Sequence, residues 1–173
     1  GTNLISGTAE NVKHGWNTEL FGYKGRRGDD GTAPEAGCYT VRLPGSSDPA
    51  VAPGGEGFGV VKVHSDGNVT ASGALADGFK YSRTVVLSTN GWWPFYVSLS
   101  EGRGAVIGWL NFSNALTSHV SGDLLWVRPP NDERQYYPDG YSGTIVARGA
   151  RYKAPVDGAL ALGWSNGVFR LSG

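Results

Sequence analysis

Glycine-containing turn dipeptides recur along most of this chain. Asp66-Gly67, Asp77-Gly78 and Asn90-Gly91 each stand between runs in which apolar and polar residues alternate. A two-residue type I′ turn needs positive φ at both central positions. Asp-Gly and Asn-Gly supply that at least steric expense, so they mark β-hairpins. The spacing of roughly a dozen residues is that of consecutive hairpins in a barrel or sandwich. Glycine makes up 28 of 173 residues, against an average of about 7%. That excess suits short strands joined by tight turns and is unfavourable in helix interiors.

The runs between these turns read as strands. Tyr39, Val41 and Leu43 share one face of a segment ending at Pro44-Gly45, and a second segment runs from Phe58 to His64. Phe79, Tyr81, Val85 and Leu87 alternate with Lys80, Ser82, Thr84 and Ser88, and Trp93, Phe95, Val97 and Leu99 repeat the pattern up to Glu101-Gly102-Arg103-Gly104. Val106, Leu110 and Phe112 follow, and then Leu125 and Val127 after a turn expected near Ser121-Gly122. No stretch carries a 3.6-residue apolar stripe, which argues against the crossover helices a parallel sheet requires. The expected fold is all-β: an antiparallel meander of about eight or more strands, closed or nearly closed into a barrel because closure hides the sheet edges. A β-sandwich is the alternative. Residues 37–155 form the main domain in this reading, 1–36 an N-terminal extension packing on or pairing with it, and 156–173 a C-terminal hairpin or edge segment. Residues 44–57 and 128–140 are long connections of the kind that carry function on a rigid β frame.

Bulk properties exclude several partner classes. Fifteen basic and fifteen acidic side chains cancel, whereas phosphate-backbone binding needs a basic surplus, so nucleic acid is not expected. No apolar run approaches the length of a membrane-spanning helix. The first residues do not read as a signal peptide, so the targeting segment of an exported protein is expected outside this stretch. Cys38, the only cysteine, sits among strand formers and reads as a small buried residue.

A catalytic constellation does not assemble. His14, His64 and His119 lie in no metal-ligand spacing, and there is no Gly-x-Ser-x-Gly elbow, phosphate-binding glycine loop or Cys-x₂-Cys pair. Asp29-Asp30, Glu101 and Asp132-Glu133 read as solvated loop charges, not as the facing carboxyls of a glycosidase. Asp29-Asp30-Gly31 and Asn131-Asp132 offer oxygen atoms to calcium but lack the regular acidic loop, so no cofactor is expected. Asn68-Val69-Thr70 and Asn111-Phe112-Ser113 match the N-glycosylation pattern.

Aromatic residues are the more informative group. If Trp93, Phe95 and Val97 face the core, Trp92 and Tyr96 face outward. By the same alternation Trp109 opposes Leu110 and Phe112, and Trp126 opposes Leu125 and Val127. Tyr136 and Tyr137 lie in the second long loop. These six residues form the candidate binding surface: they suit stacking on sugar rings or packing against another protein, unless loops or barrel closure cover them.

Several segments also carry a resemblance. Trp16-Asn17-Thr18, the run Gly37 to Gly45, Ser72 to Gly78, Pro94 to Leu99, Gly104 to Phe112, Tyr136 to Tyr141 and Ser165 to Gly173, in that order, resemble a module of large secreted proteins of Verrucomicrobia and Planctomycetes. The similarity covers residues 16–173. It implies a bacterial, secreted or cell-surface parent protein built of repeated β domains. It implies no activity, and the family has no functional residues to carry over. Cys38 departs from the pattern, which has a residue able to face solvent there. The resulting expectation is a non-catalytic structural or adhesive module of a surface layer, stalk or filament. Its partners would be neighbouring copies or domains. Carbohydrate binding through the surface aromatics is the alternative, and a loop-borne hydrolase a remote one.

Overall fold

A computed structural model describes residues 3–27, 30–113, 118–156, 158, 159, 167 and 168. These residues form ten β-strands and no α-helix: β1 (Leu4–Asn11), β2 (Trp16–Tyr23), β3 (Gly37–Pro44), β4 (Glu56–Val63), β5 (Asn68–Ala74), β6 (Lys80–Val86), β7 (Trp92–Leu99), β8 (Gly104–Phe112), β9 (Val120–Arg128) and β10 (Tyr141–Tyr152). β1 and β2 pair as a separate hairpin. The other eight make one antiparallel sheet in the order β6-β5-β4-β3-β10-β9-β8-β7. Two four-strand meanders are thus joined by β10 lying against β3, and the sheet curls into a nearly closed barrel with one unsealed seam between β6 and β7.

The glycines take the positive φ the turns need, but Asp66, Asp77 and Asn90 do not, so these are not the expected type I′ turns. Instead the Gly67, Gly78 and Gly91 N–H groups donate to the His64, Leu75 and Ser88 carbonyls. Gly67, Gly78, Gly91, Gly102 and Gly140 all have φ between 72° and 87°, a region that side chains with a Cβ enter only with strain. Ser121-Gly122 is different: both residues lie inside β9, and the connection from β8 falls at 113–119. There the glycine serves strand packing, because a Cβ on Gly122 would run into the Trp109 carbonyl oxygen.

Alternation then fills the barrel. In β4 every second residue is buried, and Val61, Val63, Val69, Val97, Val106, Leu110 and Leu124 are almost wholly inaccessible. Trp93 packs edge-on to Phe95 at 5.4 Å and stacks on Phe112 at 6.0 Å. Cys38 is exposed, contrary to the expectation of a buried thiol. Tyr39 points inward beside it, and period-two geometry sends its neighbour out.

The seam is closed by side chains. Tyr81 meets Phe95 edge-on at 5.6 Å across it, and Arg83 Nε donates to the Tyr96 carbonyl oxygen at 3.3 Å. Tyr81 fits because β4 and β5 carry Gly59 and Gly73 there. A Cβ on Gly59 would lie 2.5 Å from the Tyr81 hydroxyl, which donates to the Phe58 carbonyl oxygen at 3.3 Å. A charged residue in the inward phase of an edge strand also discourages pairing with a foreign strand.

The barrel has two unlike ends. At one, the connections 45–55, 75–79, 100–103 and 129–140 gather. At the other lie 64–67, 87–91, the entry from β2 and the exit of β10. The β1–β2 hairpin rises from this second end. Its root is stitched to the 87–89 segment by backbone bonds: Arg26 N–H to the Leu87 carbonyl at 2.8 Å and Thr89 N–H to the Lys24 carbonyl at 3.0 Å. The C-terminal hairpin expected over 156–173 lies almost wholly outside the described residues.

Candidate functional site

The six aromatic candidates divide three ways. Trp92 and Trp109 do face outward, on β7 and β8, but the N-terminal hairpin covers them. Tyr23 stacks on Trp92 at 5.6 Å with ring planes 10° apart and meets Trp109 edge-on at 5.0 Å, while Phe21 stacks on Trp109 at 5.9 Å. The cover therefore comes from β2, not from the two long loops. Tyr96 faces outward as expected and is half-exposed. Trp126 does the opposite of its expectation: it is 3% exposed and belongs to the core, while Leu125 points out. The run Leu124-Leu125-Trp126-Val127 is apolar on both faces, so the sequence holds no phase from which to choose. Tyr136 and Tyr137 are in the 129–140 loop, far from Trp92 and Trp109, so the six residues do not form one surface.

Two apolar surfaces and a polar-floored cavity stand out; a larger cavity of about 520 Å³ adjoins the latter beside Trp126, Tyr141 and Ser142. The hairpin presents Phe21 and Tyr23 to the barrel. Its other face carries Ile5, Trp16 and Leu20, at 78%, 50% and 54% exposure. The register explains the grouping: Ile5 opposes Gly22, Leu20 opposes Gly7, and Asn11 opposes Trp16, and directly opposed residues share a face. On the barrel wall, Tyr96, Ile107 and Leu125 stand side by side across β7, β8 and β9 and are all about half-exposed. Ile107 is two residues from Trp109 along β8, so this row continues toward the hairpin root.

The polar-floored cavity is at the opposite end, between the 45–55 and 129–140 connections. It holds about 360 Å³ and is walled by Asp77, Arg128, Arg134, Tyr136, Tyr137 and Tyr141. Arg128 and Asp77 form an ion pair that is mostly buried, and the guanidinium lies over the Phe79 ring at 5.6 Å. The Tyr141 hydroxyl reaches the same Asp77 carboxylate at 3.5 Å. Burial, reinforced by the Asp77 charge, pushes the Tyr141 phenol well above its usual range. Tyr141 packs edge-on against both Tyr137 (5.6 Å) and Trp126 (5.2 Å). Two buried donors here, Arg128 Nε and Trp126 Nε1, have no hydrogen-bond partner among the described residues.

The surrounding loops are firmly set. The Tyr137 hydroxyl donates to the Pro49 carbonyl at 2.7 Å and ties the two connections together. Asn131 N–H donates to the Pro138 carbonyl at 2.6 Å, and Asn131 Oδ1 accepts from Glu133 N–H at 3.0 Å. That oxygen is thus committed to a turn and not turned toward a cation. Asp30 likewise accepts from Arg27 N–H at 2.7 Å, and Asp29 is outside the described residues. No group of three or more metal-ligating side chains occurs among the described residues. Tyr137 itself has φ 55°, a left-handed conformation for a non-glycine residue, of the sort that persists only where the surroundings over-determine it. Sequence reading missed Asp77, Arg128 and Tyr141, since Asp77 looks like an ordinary turn residue and its partner is 51 positions away. It also missed Phe21 and Tyr23 as a lid.

No family model, no curated protein and no solved structure matches this chain.

Proposed function

We propose that this chain is a non-catalytic structural module that associates with neighbouring copies, in the setting of a bacterial secreted or cell-surface repeat protein. The observation that carries this reading is the free face of the β1–β2 hairpin, along which Ile5, Leu20 and Trp16 are exposed in succession from root to tip. A two-stranded hairpin is at best marginally stable alone in water, and this one touches the barrel mainly through Phe21 and Tyr23. Covering its other face would complete a three-layer arrangement of barrel, hairpin and neighbour. Contiguous exposed apolar surface on a soluble domain marks an interaction site, and the Tyr96–Ile107–Leu125 row offers a complementary surface. Hairpin and row are different patches, so a reciprocated contact between them closes as a two-fold dimer, whereas a head-to-tail one extends from copy to copy. The resemblance to modules of repeat-containing surface proteins supports the same reading.

Light scattering over a rising concentration series tests it. The chain should form concentration-dependent oligomers, and the triple variant Ile5→Ser, Trp16→Ser, Leu20→Ser should remain monomeric with its circular dichroism unchanged. A wild-type chain that stays monomeric at the highest concentration reached removes the proposal.

A further inference from the structure

The cavity at the loop end is separate from the hairpin face proposed for self-association, and its chemistry points elsewhere. We infer that it binds a saccharide ring, with Tyr136 as the stacking platform and the Tyr141–Asp77–Arg128 cluster as its polar floor. Four observations combine. A volume of about 360 Å³ is in the range of small-ligand pockets and suits one or two sugar rings. Tyr136 is 70% exposed at the rim, although neighbouring loop residues are held by backbone hydrogen bonds. A flat apolar ring presented on an ordered loop is what the apolar face of a pyranose packs against. The floor places a carboxylate, a guanidinium and a phenol in one hydrogen-bonded cluster, which provides acceptors and donors side by side for neighbouring hydroxyls. Finally, Gln135 stands exposed on the same wall beside Tyr136, and its amide offers both a donor and an acceptor to ring hydroxyls.

Competing ligands fit less well. Asp77 is paired with Arg128 within the floor, so that guanidinium is already committed and is not free to clamp a phosphate group. A wholly apolar ligand would leave the floor's hydrogen-bonding groups dry. Rigid loops, tied together by the Tyr137 hydroxyl on Pro49, mean that little ordering is needed on binding, the condition under which a shallow site holds a small polar ligand.

The test uses the full chain and soluble cellohexaose, xylohexaose, mannohexaose and trigalacturonic acid, followed by titration calorimetry. At least one should bind the wild type, and both Tyr136→Ala and Gln135→Ala should weaken that binding at least tenfold. Both side chains are exposed, so the variants should keep the wild-type circular dichroism. The hairpin triple variant should bind the same saccharide unchanged, which separates this site from the assembly reading. Absence of binding by the wild type to all four at millimolar concentration overturns the inference. So does binding that survives both substitutions, because the sugar would then sit elsewhere.

Discussion

At the loop end of the barrel, charged groups are buried and paired, although Arg128 Nε and Trp126 Nε1 find no partner among the described residues. The Arg128–Asp77 pair is enclosed, the Tyr141 phenol leans on it, and the 129–140 connection closes on itself through backbone bonds. The hairpin end has an enclosed pair of its own, Arg26 with Glu35 at 3.8 Å, but the arm above it is different. Apolar side chains stand in water there, and the strands that carry them rest on the barrel through a few aromatic contacts. Both ends are built on the same eight strands, so the difference comes from what each connection is asked to hold. Long loops that carry tyrosine and proline make a concave end tied together by hydrogen bonds, and a two-strand arm with little beneath it leaves an apolar face in solvent.

The largest test of this contrast is Asp77→Ala. It leaves a mostly buried guanidinium without its carboxylate, which should lower stability by about 3 kcal/mol in urea unfolding. Glu19→Ala, on the exposed hairpin, should change it by less than about 0.5 kcal/mol. Equal effects would erase the distinction between the ends.

A second test concerns the seam that runs between them. Burial holds the Tyr81 phenol up at about 12, above its unfolded value near 10. Its contribution is fully present below pH 10. It is lost as pH rises toward 12, because the unfolded chain releases the proton first. Between those limits the wild type should lose about 2 kcal/mol through this group, and Tyr81→Phe should show a correspondingly shallower alkaline slope. Tyr39 and Tyr141 are raised as well, so a slope will remain. An unchanged slope would mean that the seam admits water.

The smallest effect belongs to Tyr23→Ala. Loss of the stacking on Trp92 and Trp109 should weaken the hairpin's attachment by about 1 kcal/mol. The readout is faster amide exchange over 4–23, with the barrel strands unaffected. A barrel that loosens together with the arm would show the two to be one cooperative unit.

Much of this architecture is legible in the sequence. Asp66-Gly67 and Asp77-Gly78 mark real hairpin turns, and Asn90-Gly91 a turn between the unpaired β6 and β7, because the positive φ each glycine supplies is a local demand, met by local chemistry. The inward phase of Tyr39, Val41 and Leu43 is legible for the same reason, since Thr40 and Arg42 alternate with them. Trp126 is not, because β9 is apolar on both sides and alternation carries no information there. Nor is the covering of Trp92 and Trp109 by Tyr23 and Phe21, nor the meeting of Asp77 with Arg128. Those depend on which distant segments the closed sheet brings together, and no short-range pattern encodes that.

Closure itself rests on one late event. β10, the strand that joins the two meanders, pairs Arg148–Tyr152 with Arg42–Cys38, more than a hundred residues earlier in the chain. Pairing across such a separation is slow, because the intervening chain must be gathered before any contact rewards it. During synthesis, then, β3 must wait with an open edge until residues 141–152 have left the ribosome. A chain stopped short of β10 would hold two unjoined half-shells, each with a bare sheet edge, and the fold depends on its penultimate segment for protection from aggregation as much as for shape.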